Sequence, residues 1–497
     1  MFLSSKSLIL CFAAIICINE AKLLGSNFGR PHKLIPRHYD DTKAFDSIEG
    51  TFENKVDHFN SFNKNTYKQR YWQNSRNYKA GGPIFLMVGG EAGENSYWTD
   101  SLDLTWNVEA KRHGAMLFNL EHRFYGASQP VNDMSGKNLK LLSSSQALAD
   151  AVSFIEGMNK KFNYPNGTKW ISFGGSYSGA LSAWLREMYP EVVYGAVASS
   201  APLTAVVDFY DYLSVVQNSL TAFNAKCGSD LKSALSQVRE LTKTKSGQKQ
   251  IKHIFGLCQN WSEFNKNDID YFWLLLFNSY KTIVQYSGIN INDYRTVRTI
   301  DNLCAWHLRS THTPIENIQA AVKWVKQING EDECTAIRVQ RNVNAVSRNG
   351  RSWSDNDAWF WQTCNEFGFF QAADRPEIKD FWGDVVSIDY FTKSCEESFG
   401  SLTTNSTIYN SVKKTNTQYG GAAQFRGTRV ILPNGLVDPW HSLGVLKATN
   451  SQNYPLLIKG TSHCEDMYPA SQSDPASLTD ARHQLSQHLD EWLSLPK

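Results

Sequence analysis

The 497-residue sequence predicts an α/β fold in which a long helical segment interrupts one central sheet. From about residue 51 to 202, short apolar runs typical of buried strands alternate with segments whose apolar residues recur every three or four positions, as in amphipathic helices. From about 203 to 419, strand signals fade and helical periodicity continues. At residue 428 the alternation resumes. The predicted strands are 84–88, 115–120, 170–173, 195–199, 428–432 and 455–458, and the predicted helices include 144–159, 178–188, 229–242 and 315–329.

These patterns divide the chain into segments. A chain this long suits one large domain with an insertion. We expect a first sheet segment over 48–202, a helical cap over 203–419 and a second sheet segment over 420–497.

The run 170–179, Trp-Ile-Ser-Phe-Gly-Gly-Ser-Tyr-Ser-Gly, has the layout of a strand, a sharp turn and a helix start. Such a turn strains the backbone of its apex residue and lifts that side chain above the end of the sheet, and it needs small neighbours because strand and helix pass closely. Ser176 is at the apex and is the candidate nucleophile. Ser178 is the alternative; it also stands where the strict G-x-S-x-G pattern has glycine, but serine is small enough to fit there.

A serine hydroxyl is a weak nucleophile and needs a histidine base with an orienting carboxylate. Asp438 and His463 each follow a predicted strand, and open α/β sheets place their sites past the carboxyl ends of strands. The chain order Ser176, Asp438, His463 is that of the α/β-hydrolase fold, which is therefore the predicted fold. His441 is an alternative base, but it follows Asp438 too closely to swing opposite it.

The oxyanion hole of this fold takes one donor from the residue after the nucleophile, here the backbone N–H of Tyr177. The second comes from the loop after an early strand, and strand 84–88 is followed by two glycines. Glycine lets a backbone N–H approach the developing charge, so Gly90 is the candidate second donor. An ordinary tight turn is the alternative.

Five segments carry a family resemblance: 121–126 (Glu-His-Arg-Phe-Tyr-Gly), 146–150 (Gln-Ala-Leu-Ala-Asp), 174–179, 362–371 and 434–440. With them the chain resembles the serine peptidases grouped with lysosomal Pro-X carboxypeptidase, dipeptidyl peptidase II and thymus-specific serine protease, and it looks most similar to the thymus-specific branch. The resemblance extends from about residue 51 to the C-terminal helix.

The resemblance implies a serine exopeptidase acting on peptides, with an inserted helical cap and with Ser176, Asp438 and His463 as the charge-relay set. It further implies that Glu91 lies near the amino end of the substrate, although Gly93 stands where the dipeptidyl peptidases have a second acid. It also implies disulfide pairs, leaving Cys464 free, whereas sequence alone allows fifteen pairings. The implied pairs are Cys227 with Cys304, Cys258 with Cys334 and Cys364 with Cys395.

A cap inserted before the last two strands would cover the strand ends and restrict access to chain termini, which favours exopeptidase action. Its densest aromatic segment contains Trp359, Trp361 and Phe367. We interpret these residues as a wall of the substrate pocket, with ordinary core packing as the alternative. A flat apolar pocket suits a proline ring next to the cleaved bond.

Charge and targeting signals limit the expected partners and location of the protein. The formal net charge is +2 without an arginine-rich run, so nucleic acid is not expected as a partner. Residues 1–21 have the layout of a secretory signal peptide and are too short in apolar length to span a bilayer; 22–47 would be a propeptide or N-terminal arm. We expect a secreted or lysosomal protein without a membrane span, metal or cofactor. The glycosylation acceptors are Asn166, Asn260 and Asn405.

Two other functions are compatible with the residues, namely an esterase or lipase on the same scaffold and a non-catalytic hydrolase-like binding protein. The presence of all three triad residues favours catalysis. The sequence leaves open whether a carboxypeptidase or a dipeptidyl peptidase is present, and whether the protein is a homodimer.

Overall fold

The computed structural model describes residues 46–291, 293–331, 334–337 and 353–495, so the predicted signal peptide and nearly all of the N-terminal arm lie outside the described residues. An eight-stranded sheet with the order β1-β2-β4-β3-β5-β6-β9-β10 forms the centre. β1, β2 and β4 pair antiparallel, and the remaining neighbours pair parallel. The strands are β1 (Ile48–Lys55), β2 (Thr66–Asn74), β3 (Ile84–Val88), β4 (Met116–Leu120), β5 (Trp170–Gly175), β6 (Gly195–Ser199), β7 (Val206–Asp208), β8 (Gly368–Phe370), β9 (Val430–Gly435) and β10 (Asn453–Ile458).

Helices cover both faces of the sheet and fill the segment between β6 and β9. They are α1 (Tyr97–Asp100), α2 (Thr105–His113), α3 (Gly136–Leu139), α4 (Ser144–Phe162), α5 (Tyr177–Met188), α6 (Asp211–Phe223), α7 (Ala225–Thr242), α8 (Lys245–Phe255), α9 (Lys266–Gln285), α10 (Ile300–His307), α11 (Pro314–Asn329), α12 (Asp355–Gln362), α13 (Lys379–Trp382), α14 (Ile388–Phe399), α15 (Asn405–Tyr419) and α16 (Ala476–Ser494). A π-helical turn, Thr363–Phe367, continues α12.

The central strands β3, β4 and β6 are buried at every position because both faces of the sheet are covered. In β3, Ile84, Leu86 and Val88 belong to one core, and Phe85 and Met87 belong to the other. Side chains alternate between faces along a strand, so a strand buried on both faces is a continuous apolar run. This mainly parallel sheet, with a strand–turn–helix at β5 and α5, is the predicted α/β-hydrolase fold.

The segment between β6 and β9 is mainly helical and contains the short parallel sheet β7-β8. Three disulfides lie in or beside it and close long loops; they are the pairs that the family resemblance implied. The pairs are Cys227–Cys304, Cys258–Cys334 and Cys364–Cys395. No helix among the described residues is long and apolar enough to cross a bilayer.

A buried ion pair fixes the loop after β4. The Arg123 guanidinium donates two hydrogen bonds to the Asp150 carboxylate, at 2.6 and 2.7 Å, and Tyr67 and His58 contact the same carboxylate at 2.8 and 2.7 Å. Burial raises the cost of ionising the Asp150 carboxyl, but the Arg123 charge overcomes it and lowers the Asp150 pKa. Segments 121–126 and 146–150, which carry part of the family resemblance, thus meet in the core.

Candidate active site

The turn between β5 and α5 holds Ser176 in a strained backbone conformation with positive φ, at φ 60° and ψ −130°. Its N–H donates to the Ser199 carbonyl at 2.9 Å. A Cβ on Gly174 would lie 2.2 Å from the Ser178 carbonyl oxygen, and one on Gly179 would lie 2.7 Å from the Ser199 oxygen. Glycine is therefore required at both positions, and the strained serine is kept at the apex.

Ser178, the alternative nucleophile, is engaged elsewhere. Its hydroxyl donates a hydrogen bond to the Val88 carbonyl at the end of β3. The side chain therefore ties the start of α5 to β3. This leaves Ser176 as the candidate nucleophile.

The ends of β9 and β10 bring Asp438 and His463 together. The Asp438 carboxylate accepts a hydrogen bond from His463 Nδ1 at 2.8 Å and another from the Trp440 N–H at 2.9 Å. The backbone N–H of His463 donates to the Gln285 carbonyl at 2.8 Å. Within the described part of the chain, the buried His463 Nε2 has no hydrogen-bond partner. An Nδ1–H directed at Asp438 leaves the Nε2 lone pair free to accept a proton.

The electrostatic setting of His463 favours its protonated ring. Burial alone would lower the pKa of His463, but the Asp438 carboxylate outweighs burial and raises that pKa above its ordinary value. His441, the alternative base, points its Nδ1 at the Asp438 backbone carbonyl at 2.6 Å. It therefore contacts the main chain of the aspartate rather than its carboxylate.

The two candidate oxyanion donors flank the serine turn. Tyr177 is the first residue of α5, where backbone N–H groups have no partner within the helix. Gly90 lies against the turn, because a Cβ there would be 3.3 Å from the Ser178 Cβ. These positions are consistent with the predicted hole, and the roles remain proposals.

A buried polar network anchors Tyr177 to the helical segment. The Tyr177 hydroxyl contacts Gln362 Nε2 at 2.9 Å and His122 Nε2 at 3.2 Å. Gln362 Nε2 also donates to Glu366, whose carboxylate accepts the Ser144 N–H at 3.0 Å at the start of α4. Burial lowers the pKa of His122 to about 4 and raises that of Glu366. The neutral His122 ring adds no charge beside the serine turn.

The three aromatic candidates for the pocket wall separate into two groups. Trp359 and Phe367 pack against the Tyr177 ring, with centroid distances of 5.4 and 5.3 Å. Trp361 instead packs on Phe399, at 5.1 Å, and directs its indole N–H to the Leu142 carbonyl at 3.4 Å. The structure thus places Trp359 and Phe367 beside the serine turn and Trp361 in the core of the helical segment.

Glu91 is buried close to the site. Burial raises the pKa of both Tyr177 and Tyr286, and the Glu91 charge makes a small further contribution to each. The Tyr286 ring packs against that of His463, with centroids 5.8 Å apart. At Gly93 the backbone N–H donates to the Asp355 carboxylate at 2.9 Å.

Cys464 and the glycosylation acceptors complete the sequence candidates. Cys464 is a buried free thiol whose pKa is raised by burial, and its N–H donates to Ser200 Oγ at 3.0 Å. Asn166, Asn260 and Asn405 are all exposed. Among the residues that the structure describes, no group of three or more His, Cys, Asp or Glu side chains is placed to hold a metal ion.

A family model described as Serine carboxypeptidase S28 matches residues 54–485, which is most of the chain. The chain belongs to the serine carboxypeptidase S28 family. The family predicted from the five segments is confirmed, and this S28 protein is a serine peptidase.

Curated relatives agree over nearly their full length. "Putative serine protease K12H4.7" of Caenorhabditis elegans is 41% identical over 455 residues, covering 90% of this chain and 89% of the relative. Thymus-specific serine protease of Mus musculus is 33% identical, covering 90% and 87%. Lysosomal Pro-X carboxypeptidase of Mus musculus is 26% identical, covering 89% and 88%. Identity is thus higher to the thymus-specific branch than to the Pro-X carboxypeptidase, as the motifs implied.

Residues of this S28 protein that the sequence did not single out also surround the triad. Gln285 and Tyr286 end a helix of the inserted segment and contact His463. Lys281 lies one turn earlier on that helix. The apolar run 272–277 indicates a buried helix but carries no sign that its polar face reaches a histidine 180 residues later, because that contact depends on tertiary packing.

Proposed function

We propose that this S28 peptidase cleaves peptides as an exopeptidase through an acyl-enzyme, with Ser176 as nucleophile, His463 as base and Asp438 as the orienting carboxylate. The observation that carries the proposal is the 2.8 Å bond from His463 Nδ1 to Asp438, which leaves the buried Nε2 without a partner among the described residues. The serine turn lies close by, because a Cβ on Gly175 would be 2.9 Å from Sγ of Cys464, the residue after His463. Nucleophile, base and orienting group then stand in the roles that acyl transfer needs.

Each residue has a defined task in this mechanism. Ser176 Oγ transfers its proton to His463 Nε2 as it attacks the scissile carbonyl carbon. The N–H groups of Tyr177 and Gly90 stabilise the oxyanion that forms. The imidazolium then protonates the leaving amine, and water hydrolyses the acyl-enzyme by the reverse proton transfers. The raised pKa of His463 favours the imidazolium that these steps require.

We propose cleavage next to proline from the surroundings of Tyr177. The rings of Trp359 and Phe367 pack against that of Tyr177 and make the surroundings of the serine turn flat and apolar. A proline ring has no N–H to satisfy and buries well against such surfaces. The relative named lysosomal Pro-X carboxypeptidase is consistent with this preference.

We also propose that the protein is secreted or lysosomal, with residues 1–21 as signal peptide and the three exposed asparagines as glycosylation sites. Three disulfides support an oxidising compartment, because thiols are kept reduced in the cytosol.

Labelling and peptide digestion test the proposed nucleophile. Ser176→Ala should abolish fluorophosphonate labelling and reduce peptide turnover by about 10⁶-fold, because the nucleophilic oxygen is lost. Ser178→Ala is the matched control and should keep the label, because that hydroxyl is directed at Val88. Mass spectrometry of a proline-containing peptide panel reads the cleaved bond. Persistent labelling of Ser176→Ala would assign the nucleophile elsewhere, and faster hydrolysis of short acyl esters than of every peptide would favour an esterase.

A further inference from the structure

Lys281 is a buried cation without a counter-ion. The residue is only 3% exposed, and the one side-chain hydrogen bond it makes in the described part of the chain goes from Nζ to Gln371 Oε1 at 2.8 Å. It forms no ion pair with any described residue. Burial lowers the pKa of Lys281 to about 7. A lysine in this setting gains from an anion that restores its charge.

Lys169, another buried lysine of the same molecule, has a structural role and serves as a comparison. Lys169 donates to the carbonyls of Trp492, Leu493 and Leu495 at 2.9, 3.2 and 2.6 Å. Its ammonium is therefore satisfied by the protein itself. Lys281 lacks such a shell.

Lys281 is one helical turn from Gln285, which contacts the candidate triad. It precedes Gln285 by four residues on α9, so the two side chains share a face of the helix about 6 Å apart along the axis. The Gln285 carbonyl accepts the backbone N–H of His463. Lys281 Nζ is 5.9 Å from the Tyr212 ring centroid, and the Tyr212 hydroxyl donates to Gln285 Oε1.

Unpartnered donors accompany Lys281. Within the described residues, Gln285 Nε2, Gln371 Nε2 and Trp440 Nε1 are buried and have no hydrogen-bond partner. The Trp440 ring lies between those of Tyr212 and His463, at 5.8 and 6.4 Å. An unsatisfied buried donor costs about 1–3 kcal/mol, so a ligand that supplies acceptors to several of them at once would be stabilised here. With Lys281, the set matches an anion.

We propose that Lys281, Gln371 and Gln285 bind the α-carboxylate at the C-terminus of the peptide substrate, which makes the protein a carboxypeptidase. This inference rests on the proposed Ser176 mechanism. His463 delivers its proton to the leaving amine, so the departing residue must lie beside His463. When that residue is the last of the chain, its carboxylate carbon is two bonds from the amine nitrogen. The helix that carries Lys281 ends at Gln285, whose carbonyl accepts the His463 N–H, so it is the element next to that position.

Matched substrates test the carboxylate site. Two peptides of identical sequence, one ending in a free acid and one in an amide, are compared by kcat/KM. The wild type should favour the acid by about 100-fold, and Lys281→Met should lose most of that preference by slowing the acid about thirtyfold or more while changing the amide less than about threefold. Lys266→Met, on the exposed side of the same helix, should keep the wild-type ratio.

Two controls keep the outcomes distinct. Fluorophosphonate labelling of Lys281→Met should match the wild type, since the triad is intact. Gln371→Glu places a competing carboxylate beside Lys281 and should reduce the acid preference in the same way, so it decides the matter if Lys281→Met does not fold. Equal losses on both peptides, or a wild type that does not distinguish acid from amide, would overturn the inference. An enzyme that carries the label on Ser176 but trims amino ends would overturn it while leaving the proposed nucleophile intact.

Discussion

At the scale of single residues, the candidate site contains a strained backbone and a buried polar atom without a hydrogen-bond partner. Ser176 has a strained backbone, and His463 Nε2 is buried without a partner. Both cost folding free energy, of the order of 1–3 kcal/mol each, and such costs persist only where the surrounding structure holds the groups in place. The Gln285 carbonyl and the Asp438 carboxylate supply that support to the histidine.

Asp438→Asn should separate the two effects of the carboxylate. Because Asp438 raises the pKa of His463, the free base becomes available only as pH rises through that raised value. The substitution should lower the pKa and move the acidic limb of the kcat/KM profile to lower pH, while the maximal rate falls about 10⁴-fold as the imidazole loses its orientation. The pH profile of His441→Ala is the control and should keep the limb in place. An acidic limb at the wild-type pH in Asp438→Asn would contradict the assignment of Asp438 as the partner of His463.

Glu91 tests whether the amino end of the substrate is recognised. A buried ammonium needs close carboxylates to offset its desolvation, and Gly93 supplies none. The nearby Asp355 carboxylate already accepts the N–H groups of Gly93 and Gly126. Glu91→Gln should therefore have only a modest effect on peptides with free amino ends, and acetylating that end should cost less than about tenfold in kcat/KM, or about 1.4 kcal/mol. A hundredfold loss in both measurements would indicate a dipeptidyl peptidase.

At the scale of elements, the strands and helices that have a local sequence pattern could be predicted from the sequence. The strands and the serine turn are visible because buried parallel strands are continuous apolar runs and the turn needs small residues. The apolar face of α16, at three- and four-residue spacing, is buried as its pattern indicates. By contrast, β1 is largely exposed at the edge of the sheet and has no apolar run to mark it. No local pattern marks Lys281, because its contacts, Gln371 and Tyr212, come from distant parts of the chain.

The sequence already contained the information needed to separate the aromatic residues of the predicted pocket wall. Trp359 and Trp361 are two residues apart on α12, and residues at that spacing do not share a helix face. Only one of them could face the serine turn. The structure assigns that face to Trp359, whereas Trp361 packs on Phe399.

The Cys364–Cys395 disulfide joins the π-helical turn beside Tyr177 to α14. Closing a loop of 31 residues restricts the unfolded chain, which corresponds to about 4 kcal/mol in the loop-entropy model. Replacing both cysteines by serine should therefore lower the free energy of unfolding by about that amount in urea denaturation. It should also loosen Gln362 and Glu366. Peptide turnover should therefore decrease by a larger factor than the rate of fluorophosphonate labelling does. Unchanged stability would indicate that this pair is not bridged in the protein.

At the scale of the whole molecule, the helical segment between β6 and β9 contacts the strand ends from several directions. α9 reaches His463 through Gln285, and α12 reaches Tyr177 through its last residue, Gln362. As a result, Ser176 is 9% exposed and His463 is 2% exposed. A folded polypeptide loop is too wide to reach a serine enclosed in this way, whereas the end of an extended chain is a single strand wide.

A length series should show this enclosure directly. Peptides of about 5, 15 and 30 residues with one sequence should all be trimmed from a single end, and mass spectrometry should detect no internal fragment, because only a terminus can enter beneath the helical segment. The product pattern should be the same at all three lengths, since residues outside the site make no difference to the cleaved bond. A folded protein whose ends are buried should resist digestion until it is denatured. Internal cuts in the longest peptide would mean that the helical segment opens widely during turnover, and the exopeptidase assignment would then fail even though Ser176 remained the nucleophile.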